Sequence, residues 1–143
     1  MKRLIILLSI LLPLSAIAQS PTFDTLFKEY SQKEDCTTIN ISNAMFRSMN
    51  VNIDAEYMQI IAVENEGLIT TFRAQAHEAT QGLDVIMSVN SDGETVDILQ
   101  QRNDKDETTG IYILTCSKEE CVFMHIKGHN LELSNISSIM ENF

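Results

Sequence analysis

The sequence predicts a single α+β domain in which an αβαβα segment leads into a four-stranded antiparallel meander and a C-terminal helix. Three observations support this fold class. Apolar residues recur with the helical period before Gly82 and alternate with polar residues, as in strands, from Asp84 onward. No internal repeat or Pro/Gly-rich linker divides the 143 residues. We expect the helices to lie mainly on one face of the sheet.

Residues 1–18 have the parts of a secretory signal peptide. Lys2 and Arg3 give a positive start, residues 4–14 form a short apolar run, and the motif AIA follows as a small-residue cleavage site. We therefore expect cleavage before Gln19, a mature domain of residues 19–143, and a periplasmic or secreted location.

Charge and hydropathy limit the partners of this chain. It has 10 basic and 20 acidic residues, a net charge of −10 at pH 7, and loss of Lys2 and Arg3 with the leader would make it −12. The remaining basic residues are scattered, so we expect no nucleic-acid partner. Ile17 stands where a lipoprotein signal needs cysteine, and no later segment has the roughly 20 apolar residues of a membrane-spanning helix, so we expect neither a lipid anchor nor membrane insertion. A protein partner or a homodimer is compatible with this composition.

The first half of the mature chain is predicted to alternate helices and strands. Ser20-Pro21 suits the start of the first helix, and Ser42 can cap a second helix after a strand at 37–41. The residues expected to face inward from these two helices are Phe23, Leu26, Phe27, Tyr30, Met45, Phe46 and Met49.

A buried strand and a third helix follow. Residues 57–63 are almost continuously apolar, which is typical of a central strand covered on both faces. Asn65 can cap the next helix, and Gly82 is a suitable stop after it.

Two hairpins are predicted in the second half. Asp92-Gly93 is typical of a type I′ turn and would pair Val89 with Val96 and Met87 with Ile98. The second hairpin turns through residues 117–120. It would pair Ile113 with Met124 and Ile111 with Ile126. Leu133 introduces the last helix, for which we expect Ser134 as cap and the inward residues Ile136, Ile139, Met140 and Phe143.

Alternation in the hairpins separates two apolar faces. The face expected beneath the helices carries Val85, Met87, Val89, Val96, Ile98, Ile111, Ile113, Val122, Met124 and Ile126. The opposite face carries Ile86, Leu99, Tyr112, Leu114, Phe123 and His125, with Cys116 and Cys121. The opposite face is too apolar to be fully solvated. It is therefore either an interaction face for a partner or a surface covered by another helix.

The segment TCSKEEC, followed by two histidines, raises the question of a metal site. Along a strand, Cys121, His125 and His129 would lie about 13 Å apart in succession, whereas zinc ligands all lie within about 2.3 Å of the metal. A four-residue turn instead places Cys116 opposite Cys121, at a Cα separation of about 4.5–5.5 Å that a disulfide can span. In an exported protein we favour this disulfide over two free, partly buried thiols, with Cys36 left unpaired.

No motif for catalysis is present, since GxSxG, HExxH, P-loop and GxGxxG patterns are all missing. We assign no catalytic, metal-binding or cofactor-binding residue and expect no cofactor. His125 is the remaining candidate for a general base, although a histidine on an apolar strand is more commonly a half-buried structural residue.

Several segments together resemble a known family. They are the leader, TTINISNAMF at 37–46, GLDVIMSVNSDGETVDIL at 82–99, IYILTCSKEECVFMHIKGHNLEL at 111–133 and SNISSIMENF at 134–143. Their order is similar to the bacterial family called domain of unknown function 4252. The resemblance implies export to the Gram-negative envelope and, through relatives encoded beside extracytoplasmic sigma-factor systems, a role in envelope signalling. Many relatives look like lipoproteins, and this chain departs from them at Ile17. The family offers no functional residues to carry over.

The sequence thus predicts an exported, non-catalytic binding or regulatory domain of the bacterial envelope. Two other functions remain open: a structural envelope protein without a specific ligand, and a small hydrolase-like enzyme that uses His125. A concave pocket with His125 beside a carboxylate and a nucleophile would favour the enzyme. An exposed apolar sheet face would favour binding.

Overall fold

The computed structural model describes residues 20–50 and 53–141. Its elements are α1 (Phe23–Ser31), β1 (Cys36–Ser42), α2 (Asn43–Ser48), β2 (Ala55–Val63), α3 (Glu66–Ala79), β3 (Asp84–Ser91), β4 (Glu94–Arg102), β5 (Thr108–Cys116), β6 (Cys121–Gly128) and α4 (Leu133–Glu141). The predicted leader lies outside the described residues, as do the side chains of Ile139, Met140 and Phe143.

All six described strands form one antiparallel sheet in the order β1-β2-β6-β5-β4-β3. The α+β class is therefore confirmed. We expected the strands of the αβαβα segment to stand apart from a four-stranded meander. This expectation was wrong, because β2 pairs along its length with both β1 and β6 and so joins the described strands in one sheet. The nearly continuous apolar sequence of β2 correctly indicated a central strand.

The helices divide between the two faces of the sheet, which corrects the expectation that they lie mainly on one face. On the first face, α1 and α3 pack against Leu114, Phe123 and their neighbours. On the second face, Phe46 of α2 and Ile136 of α4 belong to a separate core with Met58, Ile111 and Ile126. Both sets of alternating residues in the central strands are apolar, so each face must bury part of its surface.

Local sequence signals place most of the element ends. Thr22, rather than Ser20, caps α1 through a capping box with Thr25, because the Thr22 hydroxyl accepts from the Thr25 N–H at 3.3 Å. Asn65 caps α3 as predicted, since its side-chain oxygen accepts from the Gly67 N–H at 2.9 Å. The α4 helix begins one residue before the predicted cap Ser134. Met45 was expected to face inward, but it is exposed on α2.

The hairpin registers agree with the sequence prediction. Asp92 and Gly93 have φ of 52° and 80°, and Val89 pairs with Val96 while Met87 pairs with Ile98. The second hairpin pairs Ile113 with Met124 and Ile111 with Ile126. One feature was not predicted: an irregularity between Val85 and Met87 places Val85 beside Leu99, on the first face.

Gly128 marks a close approach at the end of β6. A Cβ atom at this position would meet the carbonyl oxygen of Asp54 inside contact distance and Leu131 Cδ2 at 2.8 Å. Only glycine fits there without displacement of the backbone that leads into β2.

Candidate functional site

The sheet face that the sequence left as either an interaction face or a surface covered by another helix lies under helices α1 and α3. Five of its residues are buried in the core under α1 and α3, namely Leu99, Tyr112, Leu114, Phe123 and His125, and the sixth, Ile86, is half-buried in β3. The second of the two alternatives therefore describes this face, because Phe23 of α1 and Phe72 of α3 form edge-to-face ring contacts with Phe123.

His125 sits among aromatic rings rather than in an open pocket. Its ring stacks on Tyr112 with a centroid distance of 4.2 Å and lies 5.1 Å from Phe23 and 5.7 Å from Tyr57. Burial lowers the pKa of His125 to about 4, so the side chain is neutral at pH 7. Among the described residues, the buried His125 Nδ1 and Gln59 Oε1 have no hydrogen-bond partner. This environment fits a core histidine.

The two cysteines of the second hairpin form the predicted disulfide. Cys116 and Cys121 face each other across the hairpin with Cα atoms 4.2 Å apart, and both are fully buried on the first face. Cys36 is a free, half-buried thiol, and burial raises its pKa. Within residues 20–50 and 53–141, no three His, Cys, Asp or Glu side chains are grouped so that they could hold a metal ion.

A cleft of about 540 Å³ lies between α3 and the two hairpin turns. Arg73, His77 and Lys118 line it, but so does Glu66, and Arg73 already donates to the Thr95 hydroxyl at 3.2 Å. The cleft therefore offers mixed charge rather than a concentrated anion site.

The exposed apolar surface lies on the second face of the sheet. Two rows of side chains cross all six strands there, next to the part that is covered by α2 and α4. The central row is Ile39, Ile60, Met124, Ile113, Ile98 and Met87. The outer row is Thr37, Ala62, Val122, Thr115, Val96 and Val89. We call these twelve residues the open band.

The open band differs from the rest of the chain in charge and burial. None of its residues is charged, although 21% of the chain is. Ile39, Met87 and Val89 are 44%, 43% and 43% exposed and lie on the edge strands β1 and β3; Thr37 is also exposed, Ile113 is buried, and the remaining residues are half-buried. The half-buried side chains of the central strands connect the exposed apolar residues at the two edges without an intervening charge.

One end of the sheet, next to the outer row, is strongly acidic. Four connections meet there: α1 to β1, β2 to α3, and the turns of both hairpins. They and the first residue of β4 carry Glu34, Asp35, Glu64, Asp92, Glu94, Glu119 and Glu120, all exposed. Two lysines, Lys33 and Lys118, lie in the same connections. We call these seven carboxylates the acidic end.

Sequence reasoning placed part of the open band on one face, namely Met87, Val89, Val96, Ile98, Ile113, Val122 and Met124, but expected the helices to cover that face. The alternation at Met87, Val89, Val96 and Ile98 correctly showed that they share a face. It could not show which face α1 and α3 would cover.

The structure defines a small α+β protein in which α1 and α3 cover the centre of one sheet face, and the other face carries the partly open, apolar band. The chain belongs to the family described as domain of unknown function (DUF4252), whose model matches residues 30–139. No curated protein and no solved structure matches the chain. In the part of the chain that the structure describes, no helix is long and apolar enough to cross a membrane.

Proposed function

We propose that this protein is an exported, non-catalytic binding domain of the bacterial envelope and that it binds its partner through the open band. The observation that carries the proposal is the charge-free apolar surface that crosses all six strands. Water-exposed apolar area of this extent costs free energy in the isolated protein, and a partner that covers it recovers that free energy.

The leader-like residues 1–18 support export, and the resemblance noted for the sequence implies an envelope location and a role in signalling. The surroundings of His125 support a structural role rather than a catalytic one. A general base must reach the proton that it abstracts, and this ring is enclosed by Phe23, Tyr57 and Tyr112.

Parallel purification of three tagged chains from envelope fractions tests the proposal. The first is the unchanged chain, and the second is the triple variant Ile39→Thr/Met87→Thr/Val89→Thr, which makes the open band more polar at three exposed positions. The third is Val85→Thr, a matched control, because Val85 is 63% exposed on the same edge strand but lies on the first face. All three should fold, because threonine suits strands.

We expect a specific partner to co-purify with the unchanged chain and with Val85→Thr, and to be lost with the triple variant. Retention of the same partner by the triple variant would refute the open band as the binding surface. Absence of any specific partner from all three would favour a structural envelope protein.

A further inference from the structure

We infer that the occupant of the open band is an amphipathic α-helix of about 16 residues with lysine or arginine along one flank. This inference rests on the proposed binding function and names the chemistry of the partner. Three features of the structure support it: the dimensions of the band, the helices beside it and the charge along its outer side.

The dimensions of the open band match one helix. Six strands spaced about 4.8 Å apart span about 24 Å, and two rows of alternate residues cover about 13 Å along the strands. An α-helix with its side chains is about 10–12 Å wide, and about 16 residues at 1.5 Å each span 24 Å. One helix of that length, laid across the strands, would cover the band.

A second copy of the chain fits this surface less well. The open band has a footprint on the order of 300 Å², from the strand dimensions, which is small beside the roughly 800 Å² of accessible surface that each partner of a standard-size dimer buries. In addition, α2 packs on β1 and β2 on the same face. A helix is about 10 Å thick, so α2 would hold a second flat sheet away from the band.

The charge of the acidic end favours a helix with basic residues on its outer flank. The outer row of the open band borders the acidic end, where seven exposed carboxylates accompany two lysines. Apolar side chains of the occupant would cover the band, and lysine or arginine on its outer flank would meet these carboxylates. A flank of acidic residues would be repelled, which gives specificity against acidic helices.

Binding of designed peptides tests this inference on the chain as it is recovered after export. The first probe is a 16-residue amphipathic helix of leucine, alanine and lysine, with lysine along one flank. The second carries glutamate at the same positions, and the third has the lysine peptide's composition in scrambled order. Fluorescence anisotropy measures the affinity of each peptide at low and at high salt.

We expect the lysine peptide to bind at least about tenfold more tightly than either of the others, and the difference from the glutamate peptide to shrink as salt screens the charges. The triple variant should bind the lysine peptide at least about tenfold more weakly, while Val85→Thr should bind it normally. Glu64→Lys/Glu94→Lys, which reverses charge at two exposed positions of the acidic end, leaves five carboxylates against four lysines there and should therefore reduce the preference for the lysine peptide over the glutamate peptide.

Two results would overturn this inference and leave the proposed function standing. Equal affinity for the lysine and glutamate peptides, with both lost in the triple variant, would show an apolar site without the charge preference. Self-association of the unchanged chain that is lost in the triple variant would identify a second copy as the occupant. Failure of the lysine peptide to bind would also reject the inferred helix, and the envelope purification would then decide the proposed function separately.

Discussion

Replacement of one residue on each face of the sheet tests which of the two positions is packed in a core and which is open to water. Phe123 on β6 is fully buried, and its ring centroid lies 4.9 Å from that of Phe23 and 6.3 Å from that of Phe72. Truncation of a buried phenylalanine to alanine costs about 3–5 kcal/mol. Val89 is 43% exposed on the second face, and Val89→Thr keeps the branched shape, so it should change stability by less than about 0.5 kcal/mol.

Urea unfolding followed by far-UV circular dichroism measures both effects with the disulfide intact. With a denaturant slope of about 2 kcal/mol per molar urea, Phe123→Ala should lower the midpoint by about 1.5–2.5 M. The shift for Val89→Thr should be smaller than about 0.3 M. An unchanged midpoint for Phe123→Ala, together with a large decrease for Val89→Thr, would show that Phe123 and Val89 had been assigned to the wrong environments.

Three further predictions concern buried groups. Burial lowers the pKa of His125 to about 4, below its unfolded value of about 6.5. As the pH falls, the unfolded chain therefore binds a proton at His125 before the folded chain does, and the free energy of unfolding should fall by up to about 3 kcal/mol between pH 6.5 and pH 4. His125→Phe should remove this part of the pH dependence. Identical pH profiles for the variant and the unchanged chain would contradict the prediction. Reduction of the Cys116–Cys121 disulfide should lower the free energy of unfolding by about 2 kcal/mol, because the closed loop is short. Mass spectrometry of the unreduced chain after alkylation should find only Cys36 labelled. Labelling of all three cysteines would reject the disulfide. Gly128→Ala should destabilise the chain by about 1–3 kcal/mol in thermal unfolding, because its methyl group meets Asp54 and Leu131; an unchanged melting temperature would contradict the close packing.

Local signals in the sequence predicted the strands and their pairing. The type I′ turn at Asp92-Gly93 needs positive φ at two successive residues, which few pairs adopt easily, so it fixed the register of β3 and β4. The four-residue turn after Cys116 fixed the register of the second hairpin, and with it the disulfide. These features depend on neighbours in the chain, which explains why they could be derived.

The environment of each sheet face depends on residues far apart in the chain. Leu114 and Ile113 are both apolar and both buried, one beneath α1 and α3 and the other on the opposite side. Alternation separates two such sets but does not say which set each helix covers. The pairing of β2 with β6 could not be predicted for the same reason, because nearly sixty residues separate these two strands in the chain. The sequence therefore separated the two sets of hairpin residues, except for Val85 beyond the irregularity in β3, but it could not show which set would lie beneath α1 and α3.

The most direct test of the open band is photo-cross-linking in the cell that produces the protein. A photoreactive phenylalanine analogue would replace Met87 in one chain and Val85 in another, two exposed residues of β3 that lie on opposite faces of the sheet. We predict a discrete cross-linked adduct from position 87 and none from position 85. An adduct from position 85 alone would place the partner on the face that α1 and α3 cover and would contradict the assignment of the open band.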